Sequence, residues 1–247
     1  MAEVDELDFS VHEAMTELLS ICMTRSGFNY EAFEYPSPDS DRASPSIVLD
    51  DIVAASERGF APPLAETDSL SDEPGGLNPG AVGLDDDELE AWGVAFFGTD
   101  FVEIPESGMN LASGGCLEEA ENLIYQNRVD RHALVVKIVD LRNRAWILAN
   151  SDPTVAEAVA GWASCMADNG WQVSTPEESW TLAQDLEDDT ELAVAEATCA
   201  NEHGVNETFR EVLATQQADL ITAHPDVVAD WVAEVAFELA QAEAILE

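Results

Sequence analysis

The sequence predicts a mainly α protein: a helical bundle with a long basic central helix and an irregular Pro/Gly/Asp-rich N-terminal segment. Three observations indicate this architecture. Apolar residues recur at helical spacing through most of the chain after residue 84. Seven of the eleven prolines lie between Pro36 and Pro79, where regular structure should be brief. A hydrophobic content of 46% is high enough to form a packed core.

These features divide the chain into three regions. Residues 1–35 are expected to form an N-terminal helix joined to the main body, residues 36–83 an irregular acidic segment rich in proline and glycine, and residues 84–247 an α-helical domain. A length of 247 residues fits one large domain or two small ones, and either is long enough to bury a core.

The first half of the chain contains three predicted helices. Apolar residues fall largely on one helical face from Phe9 to Arg25, and Gly27 follows as a C-terminal stop. A short helix is expected within Ile47 to Arg58. The segment from Leu84 to Phe97 carries four acidic residues near its start, where a helix N-terminus stabilises negative charge, and apolar residues at helical spacing after them.

The central stretch, from Cys116 to Asn150, has neither proline nor glycine, which predicts one long helix or two helices end to end. It also holds most of the basic residues. Five of the nine bases fall in 17 positions, namely Arg128, Arg131, Lys137, Arg142 and Arg144. We expect these bases to pair with carboxylates on packed neighbouring helices rather than to line a basic binding groove.

The C-terminal part is predicted to be helical throughout. Pro153 stands at a tolerated first-turn position and Gly170 ends that helix, while Thr175 and Glu178 have the spacing of a capping box for the next one. The last helix has an apolar stripe of Val228, Trp231, Val235, Leu239, Ala242 and Leu246. The predicted segments are Pro153 to Asn169, Thr175 to His203, Asn206 to Ala223 and Asp226 to Leu246.

One short pattern occurs twice. Cys22 to Phe28 and Cys165 to Trp171 both follow Cys-Met-x-x-x-Gly-aromatic, and each closes a predicted helix. Such a pattern places a cysteine on the last turns of the helix, glycine at a left-handed cap, and an aromatic side chain folded back on the apolar face. We therefore expect two helix ends that are anchored by disulfides.

The charge excludes several classes of function. The chain has 51 acidic and 9 basic residues, a formal net charge of −42. So acidic a surface repels the phosphates of nucleic acids and anionic membranes, and we expect no nucleic-acid partner. The best candidate stretch, Ala133 to Val139, is too short for a transmembrane segment and is interrupted by Lys137. The expected partner is a basic protein or a cationic envelope component, with loose divalent-cation binding and no cofactor.

The number and spacing of the cysteines indicate the cellular compartment in which the protein works. Cys22, Cys116, Cys165 and Cys199 include no Cys-x-x-Cys pair, which argues against a zinc ribbon and fits two disulfides in an oxidising compartment. The first five residues lack the basic and apolar regions of a signal peptide. We expect an extracytoplasmic protein, secreted or at the cell surface, if a signal peptide was removed, and a cytoplasmic one otherwise.

These landmarks resemble a group of uncharacterised secreted proteins and lipoproteins of actinobacteria. The matching residues are the Cys-Met-x-x-x-Gly-Phe of Cys22 to Phe28, the Gly-Gly-Cys of Gly114 to Cys116, the Trp-x-x-Cys-Met-x-x-x-Gly-aromatic of Trp162 to Trp171, and the later helical Cys199. The resemblance implies an extracytoplasmic, disulfide-bonded, mostly helical protein, often with a lipid anchor on the full precursor. It implies no particular activity.

Four cysteines allow three pairings, and the sequence alone does not select one. The favoured pairing joins Cys22 to Cys116 and Cys165 to Cys199, and its second bond would connect adjacent antiparallel helices. Cys199 also lies four residues before His203, a spacing that could activate a thiolate or hold a metal. A disulfide at Cys199 would remove that function, so we expect neither a catalytic nor a metal site there.

The remaining motifs give no support for an enzyme. The sequence has no Gly-x-Ser-x-Gly, no Gly-x-x-x-x-Gly-Lys, no Gly-x-Gly-x-x-Gly and no His-Glu-x-x-His. The acidic runs at 39–41, 85–88, 118–121 and 185–191 each lack the full ligand set of a calcium loop. Solvated faces or helix N-termini are the simpler interpretation of these runs.

Three hypotheses follow for the function. The leading one is a non-catalytic, exported, disulfide-stabilised acidic protein that binds a partner at the cell envelope. The first alternative is an acidic nucleic-acid mimic that inhibits a DNA-binding protein. The second is a cytosolic protein of a halophile whose charge is an adaptation to salt, in keeping with its single lysine.

Overall fold

The computed structural model describes residues 2–32, 45–60, 78–105 and 107–247, with side chains from Phe9 onward. In this part of the chain, ten α-helices and one antiparallel hairpin form the regular structure, so the prediction of a mainly α protein is confirmed. The elements are α1 (Ala2–Arg25), α2 (Ile52–Arg58), α3 (Asp86–Phe97), β1 (Gly98–Glu103), β2 (Asn110–Gly114), α4 (Cys116–Ile124), α5 (Arg128–Asn150), α6 (Pro153–Asp168), α7 (Pro176–Gln184), α8 (Thr190–Glu202), α9 (Val205–Ala223) and α10 (Pro225–Leu246).

The segment predicted to be irregular, 36–83, lies largely outside the described residues. Its described parts contain the short helix α2, within the range expected for it, and a turn of 3-10 helix at Pro79–Ala81. Asp51 begins α2 by accepting a hydrogen bond from the backbone of Ala54 at 2.9 Å.

The chain forms two compact units that differ from the predicted regions. The first consists of Met1–Asp41, Leu70–Val139 and His224–Glu247, and the second of Arg42–Ser69 and Asp140–Ala223. The predicted 84–247 domain is thus shared between them, because α5 leaves the first unit after Val139 and α10 returns to it. Helix α10 packs against α1, a contact between the two ends of the chain that local periodicity does not reveal.

The core of the first unit lies among α1, α3 and α4. Met23, Trp92 and Ala120 are buried there, and the Trp92 indole donates a hydrogen bond to the carbonyl of Asn29 at 3.1 Å. A second cluster joins α1, α4 and α10 through Ala14, Ile124 and Ala242. Alanine at two of these three positions lets the helices approach closely.

The core of the second unit lies among α6, α8 and the start of α9. Trp162 and Met166 of α6 pack with Leu192 of α8, and all three are fully buried. A neighbouring cluster joins the end of α5 to α6 and α9 around Phe209, which meets the Trp146 ring edge to face at 4.7 Å between centroids. The small helix α2 packs on α8 through Ala55.

The repeated Cys-Met-x-x-x-Gly-aromatic pattern ends its helices as predicted. Gly27 and Gly170 have φ of 89° and 92°, and the next residue donates from its backbone to the carbonyl of Met23 or Met166, at 2.9 Å in both cases. Both methionines are fully buried.

Each of these helix ends carries a disulfide. Cys22 of α1 is joined to Cys116 of α4, and Cys165 of α6 to Cys199 of α8, with Cα–Cα distances of 5.6 and 5.7 Å. These are the pairs favoured from the sequence, and each bond connects two helices of a single unit.

Two long predicted stretches each contain two helices in the structure. For residues 116–150 this is the second of the two predicted arrangements, whereas the stretch from Thr175 to His203 was predicted as one helical segment. The stretch from Cys116 to Asn150 divides into α4 and α5, because Asn127 caps α5 by accepting from Val129 and Asp130 at 3.0 and 3.1 Å. The stretch from Thr175 to His203 divides into α7 and α8 at residues 185–189. Asn127 thus favours a new helix start within a stretch that has neither proline nor glycine, and Asp188 accepts from the backbone of Thr190 at the start of α8 at 3.0 Å.

The β1–β2 hairpin is the element that the sequence did not predict. Gly98, with φ of 79°, lies so close to β2 that a Cβ there would be 2.0 Å from the carbonyl oxygen of Ser113. Gly115 is equally constrained, since a Cβ there would lie 2.4 Å from the backbone nitrogen of Gly98. These glycines allow the chain to reverse between α3 and α4.

Candidate functional site

The second unit contains a pocket of about 440 Å³ that combines apolar, aromatic and acidic side chains. Four pieces of chain contribute to it: the segment that precedes α2, Phe60 just after α2, the first turns of α7, and one residue of α8. Its lining includes Val48, Leu49, Phe60, Glu177, Trp180 and Glu196.

Glu196 of α8 is the buried acid of this pocket, with a relative exposure of 2%. Its carboxylate accepts one hydrogen bond from the backbone of Leu49 at 3.1 Å and another from the hydroxyl of Ser179. Burial raises the pKa of Glu196, and these two hydrogen bonds offset the effect only in part. Within the described residues no basic side chain pairs with this carboxylate.

Replacing Glu196 with glutamine should stabilise the protein increasingly as pH rises above about 4.3, the ordinary pKa of glutamic acid. Because its pKa is raised in the folded state, Glu196 contributes stability that is present at low pH and lost as pH rises through that pKa. Glutamine does not titrate, yet its oxygen and amide can serve both neighbours.

The measurement is urea unfolding of the wild type and Glu196→Gln at about pH 5 and about pH 8. Glu187→Gln, on an exposed acid of the same unit, reports the relief of general charge repulsion. The advantage of Glu196→Gln should grow with pH beyond that of the control. Parallel behaviour of the two variants would contradict the prediction.

Asn206 of α9 holds the segment that forms one side of the pocket. Its carbonyl oxygen accepts from the backbones of Ile47 and Val48 at 2.9 and 3.4 Å, and its amide donates to the carbonyl of Val48 at 2.8 Å. The side chain is almost fully buried. Asn206 therefore satisfies two backbone N–H groups and one carbonyl of an irregular segment, as a neighbouring β-strand would in a sheet.

We expect Asn206→Ala to lower the free energy of unfolding by about 2 kcal/mol, because it leaves buried backbone groups of residues 47 and 48 without partners. Asn201→Ala is the matched control, since Asn201 is exposed and makes one hydrogen bond to the carbonyl of Asp50. Urea unfolding compares the two variants. Equal losses would show that Asn206 does not have this role.

The rim of the pocket carries its aromatic side chains. Trp180, in the second turn of α7, is 57% exposed, although tryptophan is usually buried in a core. Phe60 is placed from the other side, where its backbone donates to Asp189 at 3.2 Å. Gly59 makes this contact feasible, because a Cβ there would lie 1.8 Å from a carboxylate oxygen of Asp189.

The first unit holds a different polar cluster, centred on Arg128 at the start of α5. Its guanidinium donates to Glu121 at 2.8 Å, to Glu118 at 3.2 Å and to the carbonyl of Ala112 at 2.7 Å. Burial raises the pKa of Glu121, but the hydrogen bonds and charges of His132 and Arg128 outweigh it and leave the pKa below its usual value.

A second, half-buried arginine continues this cluster. Arg131 forms an ion pair with Glu238 of α10 and lies over the rings of Tyr125 and Trp231, about 5 Å from each centroid. Burial raises the pKa of Tyr125 to about 12. Because Glu238 is buried, the face of α10 toward α5 is more polar than the apolar stripe predicted for it.

The expectation that the central bases pair with packed carboxylates is therefore correct for two of the five. Arg128 and Arg131 pair with acids of α4 and α10, whereas Lys137, Arg142 and Arg144 are exposed. A pocket of about 400 Å³ beside Arg131 and Lys137 is lined by both acidic and basic side chains. Its lining carries both Arg131 and Lys137 beside three acids, whereas the lining of the pocket at Glu196 has no base.

The Cys199–His203 pair does not present a thiolate, because Cys199 is bonded to Cys165. One potential ligand atom each of Cys165, Glu202 and His203 lies within 4.8 Å of the others. A sulfur in a disulfide is not a thiolate ligand, so the oxidised protein offers a metal only the exposed carboxylate and imidazole.

Comparison of the chain with known protein families, with curated proteins and with solved structures finds no match in any of the three. No helix among the described residues combines the length and apolarity needed to cross a membrane. The two cysteine pairs favoured from the sequence are the bonded pairs in the structure. The sequence did not identify Glu196 or Trp180 as site residues.

One signal could have identified Glu196. It occupies a core position of α8, in phase with the buried Leu192, Ala193 and Ala200. A glutamate on the apolar face of a helix marks either a buried ion pair or a binding site. Trp180 has no such signal, because one exposed tryptophan cannot be recognised by periodicity.

Proposed function

We propose that this chain is a non-catalytic, exported binding protein of the cell envelope whose partner carries positive charge, either a basic protein or a cationic envelope component. The proposal rests on the observation that several of the few basic residues form ion pairs within the chain. Arg25, Arg128, Arg131 and Arg210 each form an ion pair with a carboxylate of the chain itself. The many exposed acids are therefore left for solvent or for a partner.

The exposed acids favour a macromolecular partner over a specific metal site. The runs at 85–88 and 185–191 lie at the N-termini of α3 and α8, and their carboxylates cap backbone groups. They thus stabilise helices while their charge faces outward. A positively charged partner would be attracted over a long range and oriented by this field, more strongly at low ionic strength.

Export is supported by the two disulfides. Such bonds persist in oxidising compartments and are rare in the reducing cytosol. They also counteract the self-repulsion of a chain with a net charge of −42. The resemblance to secreted proteins and lipoproteins of actinobacteria agrees with this compartment, and an anchor on the precursor would hold the protein at the envelope.

The first experiment measures the intact mass of the native protein after thiol blocking, with and without reduction. We expect no blocked thiol before reduction, and a chain about 4 Da lighter than the reduced form because each disulfide lacks two hydrogens. Four blocked thiols would contradict export and leave the two cytosolic alternatives. Unfolding at low salt that molar KCl reverses would then favour the halophile hypothesis.

The second experiment crosslinks the protein in intact cells and identifies its partners by mass spectrometry. We expect basic proteins or cationic components of the envelope, with capture reduced by high salt. Recovery of a DNA-binding enzyme would support the nucleic-acid mimic instead. Recovery of cytosolic proteins alone would contradict the proposal.

A further inference from the structure

Glu196 is the most deeply buried acid among the described residues, at 2% exposure, and like the less buried Glu234 it forms no ion pair there with a basic side chain. Glu121 and Glu238 each pair with an arginine. Glu196 receives only neutral donors, the backbone of Leu49 and the hydroxyl of Ser179. A neutral glutamine could satisfy both donors, so the fold does not require an acid at this position. Keeping a carboxylate out of water is unfavourable unless a cation compensates its charge.

The pocket supplies surroundings suited to one kind of cation. A hard metal ion such as Ca²⁺ or Mg²⁺ takes at least six oxygen ligands, but most of this lining is apolar or aromatic. An organic cation instead gains from aromatic faces, here Trp180 and Phe60. Its apolar stem can pack on Val48 and Leu49, and its charge can meet the carboxylates of Glu177 and Glu196.

We propose that the pocket binds one organic cation on an apolar stem, an alkylammonium group such as a lysine side chain carries. This inference rests on the proposed function and assigns the partner's anchoring group. The volume of about 440 Å³ lies at the lower end of the range of small-ligand pockets and suits a single side chain. The ammonium pairs with Glu196 and Glu177, while Trp180 covers the stem from the exposed side.

The test titrates the folded protein with n-butylammonium chloride and, separately, with 1-butanol of the same chain length. The readout is the indole N–H signal of Trp180 in NMR spectra, assigned with Trp180→Phe. We expect saturable binding of the ammonium, at least about tenfold tighter than of the alcohol. Equal binding of both would show an apolar pocket without charge recognition and would overturn the proposal.

Variants then test whether the carboxylate of Glu196 recognises the ammonium group. Glu196→Gln keeps the size and hydrogen-bonding capacity of the side chain and should weaken ammonium binding about tenfold or more. Glu187→Gln removes the same charge from an exposed position and should change it less than about twofold. Equal effects would assign the binding to diffuse charge and overturn the proposal. Trp180→Ala, on the exposed rim, should weaken binding about three- to tenfold, and an unchanged affinity would likewise count against the pocket.

Two further ligands identify the source of the cation. A blocked Gly-Lys-Gly peptide that binds more tightly than choline supports a protein lysine, and the reverse supports a small quaternary ammonium compound. The outcome also separates this inference from the proposed function. If cationic envelope partners are captured equally by wild type and Glu196→Gln, the pocket is not the anchor, although the binding function stands. If no cationic partner is captured at all, both the pocket inference and the proposed binding function are contradicted.

Discussion

Replacing Arg128 with methionine is expected to destabilise the protein by about 3–5 kcal/mol, because it breaks a buried ion pair. Arg128 is 5% exposed and donates to two carboxylates and one backbone carbonyl. Methionine fills a similar volume but leaves Glu121, which is also buried, without its arginine. His132 remains 2.9 Å from the Glu121 carboxylate, but among the described residues no other arginine or lysine forms an ion pair with Glu121.

Arg25→Met is the matched control for this substitution. Arg25 also forms an ion pair, with Glu119 at 2.5 Å, but its side chain is 61% exposed. Solvent screens such a pair, so its loss should have little effect on the midpoint of urea unfolding. Similar losses for the two variants would show that the number of bases matters and their burial does not.

A second variant tests the physical cause. If the cost of Arg128→Met comes from an orphaned charge, adding Glu121→Gln to it should restore part of the lost stability. Glutamine can still accept from His132, which lies 2.9 Å from the Glu121 carboxylate. No recovery in the double variant would indicate that packing around Arg128 is the dominant contribution.

The features that the sequence predicted well are those determined by neighbouring residues. The helix ends at Gly27 and Gly170 follow from the need for a positive φ after a helical turn, and the packing of the next aromatic residue onto the core follows from its spacing. The start of α6 at Pro153 after Asp152 is equally local, since Asp152 caps it through the backbone of Thr154. Such features require no knowledge of distant contacts.

The features that the sequence did not predict depend on contacts between distant residues. Helix α10 could be assigned as a helix, but not as the partner of α1 and α4, and so the burial of Glu238 beside Arg131 was not foreseen. The pocket has the same origin. It forms because Asn206 fixes residues 47 and 48, more than 150 positions earlier, next to Glu196. No periodic pattern in the sequence records that contact.

Removing either disulfide should destabilise the protein by about 3–5 kcal/mol, measured as the double variant Cys22→Ala/Cys116→Ala or Cys165→Ala/Cys199→Ala. Each bond ties two helices at the point where one of them ends. In the chain-entropy account, the stabilisation grows with the length of the closed loop. The sequence separations are 94 and 34, so the first bond should contribute about 0.9 kcal/mol more than the second.

The charge of the chain provides a control for this prediction. Reducing the wild type breaks both crosslinks without changing any side-chain volume apart from the added hydrogens, so it should match the four-alanine variant if loop closure is the cause. Self-repulsion at a net charge of −42 favours the expanded chain, and salt screens it. Salt should therefore restore much of the stability of the reduced protein and change the oxidised protein less. Equal salt responses of the two forms would mean that the crosslinks do not act against charge repulsion.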